Sequence, residues 1–198
     1  MNSETRMHEL PANWIWVKIG NFASVKGGKR LPKGSKYSED KTLFPYIRVS
    51  DFKDETIDTS NLRYITEEIY QAISRYTINC TDIYISIAGT IGLAGTIPKQ
   101  LDGANLTENA AIIILDGDIN SNYLCKVINS LIVQQQIHQK TIATTQPKLA
   151  LFRIEALEIP LPPLNEQHRI VAKIEALTDR SRKARAALDA IPALLDQF

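Results

Sequence analysis

The chain has 198 residues, 44% of them hydrophobic and 23% charged, with a formal net charge of +1. This composition excludes a wholly disordered chain and fits one ordinary globular domain plus an appendage better than two full domains. A near-neutral total also excludes a uniformly basic surface, so any role with a polyanion has to rest on how the charge is distributed.

In chain order, Trp14 to Val25 reads as an opening strand or strand-turn, with Trp14 and Trp16 alternating. Gly27-Gly28 and Pro32-Lys33-Gly34 then mark an extended loop. Within it, KGGKRLPKGSK at 26–36 carries Lys26, Lys29, Arg30, Lys33 and Lys36 and no acid. Tyr46 to Val49 is a short strand candidate. Thr66 is placed to cap a helix over TEEIYQAI, whose first turn holds acids. IYISIA at 83–88 and AAIIIL at 110–115 are continuous apolar runs of the kind that form buried strands. Between them, GTIGLAGTIP is punctuated by glycine as a hairpin or tight connection. Residues 121–139 are expected to be helical, with Leu124, Val127, Ile128, Leu131 and Ile132 on one stripe. TIATTQPKL reads as a polar loop broken by Pro147, and IEALEIP as a last strand. Strands and helices mix without a regular βαβ rhythm, which predicts the α+β class, and no internal repeat is present.

Cys80 and Cys125 lie far apart without metal-type spacing and are expected to be reduced, buried thiols in a cytoplasmic protein. No apolar run approaches the roughly 20 residues a membrane span needs, so no membrane partner is expected. The segment MNSETRMHEL lacks a signal-peptide core. His8, His138 and His168 are scattered and have no metal-type partner, so neither a metal nor another cofactor is expected.

The C-terminal stretch is the most patterned. Pro160, Pro162 and Pro163 favour a stiff, extended connector, and Asn165 is placed to cap the helix that follows. Apolar or small residues then recur at Ile170, Ile174, Leu177, Ser181, Ala184, Leu188, Ile191 and Leu195, in steps that alternate between four and three. This is a heptad seam, the period of a coiled coil. Ser181 and Ala184 form a narrow waist, and Pro192 removes a backbone donor near the end. The bland alternative is an amphipathic helix folded back on its own domain. Residues 166–195 would span about 45 Å at ~1.5 Å per residue. That slightly exceeds one turn of B-DNA, about 34 Å.

These stretches resemble the specificity (S) subunits of type I restriction–modification systems. The residues that carry the resemblance are PLPPLNEQHRIVAKIEAL at 160–177 and DRSRKARAALDAIPALLDQF at 179–198. WIWVKIGNFASVKGGKRLPKG, YIRVSDF, SIAGTIG, LTENAAI and TTQPKL support it. The resemblance implies a globular target-recognition domain over 1–160 and a spacer helix with a dimerisation seam over 161–198. It further implies partners: double-stranded DNA, methyltransferase (M) subunits and, in restriction complexes, motor-nuclease (R) subunits. Family members carry two such units with antiparallel helices, and one unit is present here. The chain is therefore expected to be either a half-subunit or the N-terminal part of a longer one, and a homodimer through its unpaired seam.

A recognition domain needs donors and acceptors for base edges and cations for phosphates. Lys29, Arg30, Lys33 and Lys36 are assigned to DNA contact, although a basic loop is also ordinary solvated surface. Arg48, Ser50 and Asp51 stand at a strand end; they either enter a groove or, for Arg48 and Asp51, form a structural ion pair. Thr90 lies in a glycine turn that lacks the P-loop pattern. Thr144, Thr145, Gln146 and Lys148 form a polar display, in which Gln146 suits an adenine edge and Lys148 a guanine or phosphate. Asn105, Thr107 and Glu108 are expected to cap and brace a turn. No methyltransferase motif or Walker loop is present, so the chain is not expected to be an enzyme. Two other readings stay open: an interaction scaffold with no DNA readout, and a small nuclease using Asp51 and Lys53.

Overall fold

The structure, a computed structural model, describes residues 10–141 and 147–195. It is a mixed α+β fold with a long C-terminal helix, as the sequence predicts. β1 (Ile15–Lys18) leads through a 3-10 turn into β2 (Ala23–Gly27), and a long loop runs to β3 (Phe44–Ile47). A second 3-10 turn over Val49–Asp51 precedes a small hairpin, β4 (Phe52–Lys53) and β5 (Thr56–Ile57). Then come β6 (Arg63–Ile65), α1 (Glu67–Ala72), β7 (Thr77–Ile78), β8 (Ile83–Ser86), β9 (Ala94–Thr96), β10 (Ala104–Leu106) and β11 (Ala110–Leu115). The chain ends with α2 (Ser121–Ile128), α3 (Leu131–Thr141), α4 (Leu151–Glu155), β12 (Glu158–Leu161) and α5 (Leu164–Leu195).

Two four-stranded sheets form the body, in the orders β2-β11-β8-β9 and β6-β3-β10-β7. The first is antiparallel throughout, whereas β3 and β10 in the second run parallel. β8 and β11 read as unbroken apolar runs because both of their faces are covered. The two-residue period then divides them between two cores. Ile83, Ile85, Ala111 and Ile113 pack with Leu124, Ile128, Val133, Ile137 and Ile154 from the helices. Tyr84, Ala110 and Ile112 pack with Ile47, Ile78 and Leu106 of the second sheet. The layers are thus helices, sheet, sheet. The expected turn between β8 and β9 is present, with Gly89 and Gly92 in the left-handed region at φ 76° and 93°. Thr66 caps α1 as expected, its hydroxyl accepting from the Ile69 amide.

Several expectations need correction. The helix expected over 121–139 is broken at Asn129–Ser130. The Asn129 amide turns aside to bond both the N–H and the C=O of Ala94, and Gln134 donates to the carbonyls of Ile128 and Gly92. The break rotates the apolar face. Leu131 and Ile132 face solvent, and Val133 and Ile137 are buried in their place. IEALEIP is not one strand, because Ile154 lies in α4 and β12 begins only at Glu158, antiparallel to β1. Asn165 is not the cap of α5. Pro163 holds that place, its carbonyl accepting from Glu166 N and Gln167 N at 2.9 and 3.1 Å. Cys125 is buried and its thiol is pushed up to about 12 by that burial, whereas Cys80 is only partly covered.

The first turns of α5 are locked to the domain. Gln167, 2% exposed, accepts from Asn120 N and donates to Pro162 O, both at 3.0 Å. Val171 is buried, and Ile170 and Ile174 are half-buried. From Glu175 to Asp189 every residue is exposed, so this stretch is not folded back on the domain. Leu177 is 52% exposed, Leu188 65% and Ile191 45%. The side chain of Leu195 lies outside the described residues.

The sheets are sewn together where β2 ends. Gly28 N donates to Ala110 O of its own sheet at 2.9 Å, and Lys29 N crosses to Leu106 O of the second at 2.8 Å. A Cβ on Gly28 would stand 2.1 Å from Thr107 O and 2.4 Å from Leu106 O. Neither is a movable side chain. Gly28→Ala should therefore cost about 2–3 kcal/mol as overpacking against backbone. The expected reading is a lower urea midpoint at an unchanged m-value; an unchanged midpoint would show that the seam yields.

Candidate nucleic-acid interface

Strand register decides which loops meet. Gly27 pairs with Ala111, and Ala110 with Ser86. The end of β2, the start of β11 and the end of β8 therefore share one edge. In the second sheet Leu106 pairs with Ile47, and Thr107 N donates to Ile47 O at 3.0 Å, which brings the ends of β3 and β10 to the same edge. Ile87 N donates to Asn109 O at 2.8 Å and Leu149 N to Ile87 O at 2.9 Å. The loops carrying Lys29 and Arg30, Arg48 and Ser50, Glu108 and Asn109, Thr90, and Lys148 are thereby assembled side by side.

Lys29, Lys33, Lys36 and Lys148 are exposed and form no ion pair among the described residues. Lys29 Nζ stands 5.4 Å from the centre of the Tyr76 ring, a cation–π contact that holds its stem. Tyr46 Oη donates to Lys29 O at 2.7 Å, fixing the loop from beneath, and burial pushes the Tyr46 phenol up to about 12. Thr90 is exposed in its turn. Thr144, Thr145 and Gln146 lie outside the described residues.

Behind the basic loop is an open cleft of about 410 Å³, lined among others by Arg30, Tyr37, Arg48, Ser50, Glu108 and Asn109. Its two arginines are held differently. Arg48 is 26% exposed and grips Asp51 with both Nε (3.1 Å, to Oδ2) and Nη2 (2.6 Å, to Oδ1). Nη2 also donates to Asn61 O at 2.9 Å. Asp51 is only 3% exposed, and it also accepts from Arg48 N and the Ser50 hydroxyl. The ion-pair arrangement foreseen for Arg48 and Asp51 is thus formed. Arg30 is 78% exposed and is held through Nε alone, which donates to Glu108 Oε1 at 2.6 Å. Thr107 Oγ1 donates to Glu108 Oε2 at 3.0 Å. Burial pushes the Glu108 carboxyl up, but the hydrogen bonds from Arg30, its own amide and Thr107 outweigh that and leave it below its ordinary value. Glu108 is therefore ionised at neutral pH.

Thr107 and Glu108 brace a turn, as the sequence suggests, and Asn105 does so by donating to Ile73 O at 3.0 Å. Tyr37 and Asn109 are cleft residues that sequence reasoning missed. The available signal was a polar LTEN between two buried strands, opposite the only loop with five cations and no acid. Among the described residues no group of three or more His, Cys, Asp or Glu is placed to hold a metal ion. No helix among them is long and apolar enough to cross a membrane.

These features define a mixed α+β domain with a cationic edge and a projecting helix. The chain belongs to the family of the type I restriction modification DNA specificity domain, whose model matches residues 11–189. It is 29% identical over 169 residues to the type I restriction enzyme EcoBI specificity subunit of Escherichia coli, covering 85% of this chain and 35% of that protein. It is 22% identical over 195 residues to the EcoKI specificity subunit of E. coli strain K12, covering 96% and 41%. The chain thus spans about two fifths of the length of these relatives. In fold it is similar to the HsdS subunit from Thermoanaerobacter tengcongensis, with a TM-score of 0.68 at 19% identity over 92% of this chain and 42% of that one. It is also similar to a chain from a type I R-M system solved for its complex assembly and conformational transition, with a TM-score of 0.76 at 20% identity over 98% and 45%.

The two arginines should separate in stability. Arg48→Ala leaves the buried Asp51 carboxylate without its main partner and should cost about 1–3 kcal/mol. Arg30→Ala removes an exposed pair and should cost under about 1 kcal/mol. Equal losses in urea unfolding would contradict this division.

Proposed function

We propose that the chain is a DNA-recognition unit of a type I specificity subunit. Residues 1–160 serve as the target-recognition domain and 161–198 as the spacer helix. The unit reads part of a bipartite double-stranded site and directs methyltransferase (M) subunits to it, and in a restriction complex motor-nuclease (R) subunits as well. It contributes binding rather than catalysis. The observation that carries this reading is the convergence of separate loops on one sheet edge, with lysines that form no ion pair among the described residues. Family membership gives that edge its context. Lys29, Arg30, Lys33, Lys36, Lys148, Ser50 and Thr90 are the contact candidates on the edge. Arg48 acts there mainly by holding its loop.

Two copies pair through the α5 seam of Ile170, Ile174, Leu177, Ser181, Ala184, Leu188, Ile191 and Leu195. What supports this is that Leu177, Leu188 and Ile191, at heptad positions beyond the domain, are exposed and uncovered among the described residues. Lys and Arg flank it, so the pairing edge is narrow. Sedimentation equilibrium should give a dimer at micromolar concentration, and Leu188→Glu should shift it to monomer without unfolding the domain. A wild-type chain that stays monomeric at tens of micromolar would remove the homodimer.

DNA reading is tested separately, with the chain assembled with its methyltransferase and a bipartite target. Lys33→Ala should weaken binding about equally on all sequences and lower the slope of log affinity against log salt by about one, as loss of a phosphate contact does. No target preference in the wild-type assembly would favour a scaffold without DNA readout. Exchange of residues 1–160 for another unit's would then leave the methylated motif unchanged.

A further inference from the structure

The cleft contains a pair that phosphate binding does not explain. A surface meant for a polyanion gains nothing from a carboxylate at its mouth, yet Glu108 stands there, half-buried and bonded on both oxygens. Its partner Arg30 lies 78 residues away in sequence, on the opposite loop. An exposed pair of this kind contributes little to stability. What it does is geometric. By taking only Nε, Glu108 fixes the plane and direction of the guanidinium. Nη1 and Nη2 make no hydrogen bond among the described residues.

The second arginine of the same cleft gives the contrast. Arg48 is engaged by Asp51 through Nε and Nη2, with Nη2 shared with Asn61 O, so its fork is consumed by its own loop. Arg30 is held by one edge and keeps its fork open. An open, pre-aimed fork of two parallel N–H donors matches two acceptors on one rigid edge. In duplex DNA that edge is O6 and N7 of guanine in the major groove. A phosphate would also accept the fork, but it needs no aiming carboxylate and would be repelled by one.

We propose that Arg30 is a base-reading residue directed at the O6/N7 edge of a guanine, and that Glu108 is the positioning residue that aims it. The assignment rests on the DNA-recognition reading above and goes further by naming the reader, its buttress and the base. Lys29, Lys33 and Lys36 on the same loop then serve the backbone, and Arg48 serves the fold.

The test uses the full chain assembled with its methyltransferase, and duplexes in which each guanine of the target is replaced in turn by 7-deazaguanine, which lacks the N7 acceptor. The wild-type assembly should lose roughly tenfold or more in affinity at one guanine position. Arg30→Ala and Glu108→Ala should each abolish sensitivity at that position. Glu108→Gln, which keeps an oxygen for Nε, should retain part of it. The salt slope of Arg30→Ala should stay near wild type, since a base contact displaces no phosphate counterion. If Arg30→Ala keeps the wild-type 7-deazaguanine pattern and lowers the salt slope by about one, Arg30 is a phosphate contact and the assignment is overturned. If Glu108→Ala keeps full sensitivity, the positioning role is overturned. If the wild-type assembly prefers no sequence at all, the failure lies with the DNA-recognition reading, an outcome told apart by the wild type alone.

Discussion

A contact between backbones at Gly28 holds the candidate interface together. The two sheets share a core, and their backbones meet where β2 ends: Gly28 N stays within its sheet on Ala110 O, and Lys29 N crosses to Leu106 O of β10. The approach is so close that a single methyl group would collide with two carbonyl oxygens. Everything at the edge inherits its place from that crossing. The basic loop leaves from it, LTEN passes beneath it, and β3 reaches it through its parallel pairing with β10. A glycine is required there for space rather than for a left-handed backbone. The loops can be irregular because the scaffold under them is buried on both faces and rigid.

The charge distribution follows from the same geometry. A net charge of +1 hides an uneven arrangement. Cations at 26–36 gather on one edge, while Asp51 and Glu108, two acids of the adjoining cleft region, are each tied to an arginine. An acid paired in this way does not cancel the field of the unpaired lysines. It tunes one side chain, orienting Arg30 and restraining Arg48. Local pairing therefore lets a near-neutral protein present a cationic edge.

Much of the fold was legible in the sequence because its signals were local. IYISIA and AAIIIL announced buried strands by β-branching and length, Thr66 announced a cap, and the glycines at 89 and 92 a turn. The failures share a cause: tertiary bonds overrode local pattern. The helix over 121–139 breaks because Asn129 finds partners on β9, 35 residues back, and Gln134 finds Gly92. Asn165 is a fair cap by composition, but the proline connector already places a carbonyl where the helix begins. For the interface, charge alone identified the basic loop. Tyr37, Glu108 and Asn109 were not legible as cleft residues, because only the parallel pairing of β3 with β10 brings 44–47 beside 104–106. The same pairing, with the Asp51 contacts, distinguishes Arg48 from Arg30, which composition treats as equals.

The opening turns of α5 connect the edge to the rod. Gln167 is buried and spends both ends of its amide, one on Asn120 N and the other on Pro162 O. Asn120 in turn caps α2 through Tyr123 N, and Tyr123 Oη donates to Pro160 O at 2.7 Å. The prolines, the α2 cap and the helix start thus form one closed set of hydrogen bonds rather than a hinge. A hinge would let the exposed helix sweep and leave the distance between two paired domains undefined. A locked joint transmits the orientation of the domain into the helix, so that pairing two such helices fixes the separation of their edges. Rigidity at Gln167 therefore fixes the direction in which the exposed part of the helix leaves the domain, and it gives the PLPPLNEQ segment its physical reason.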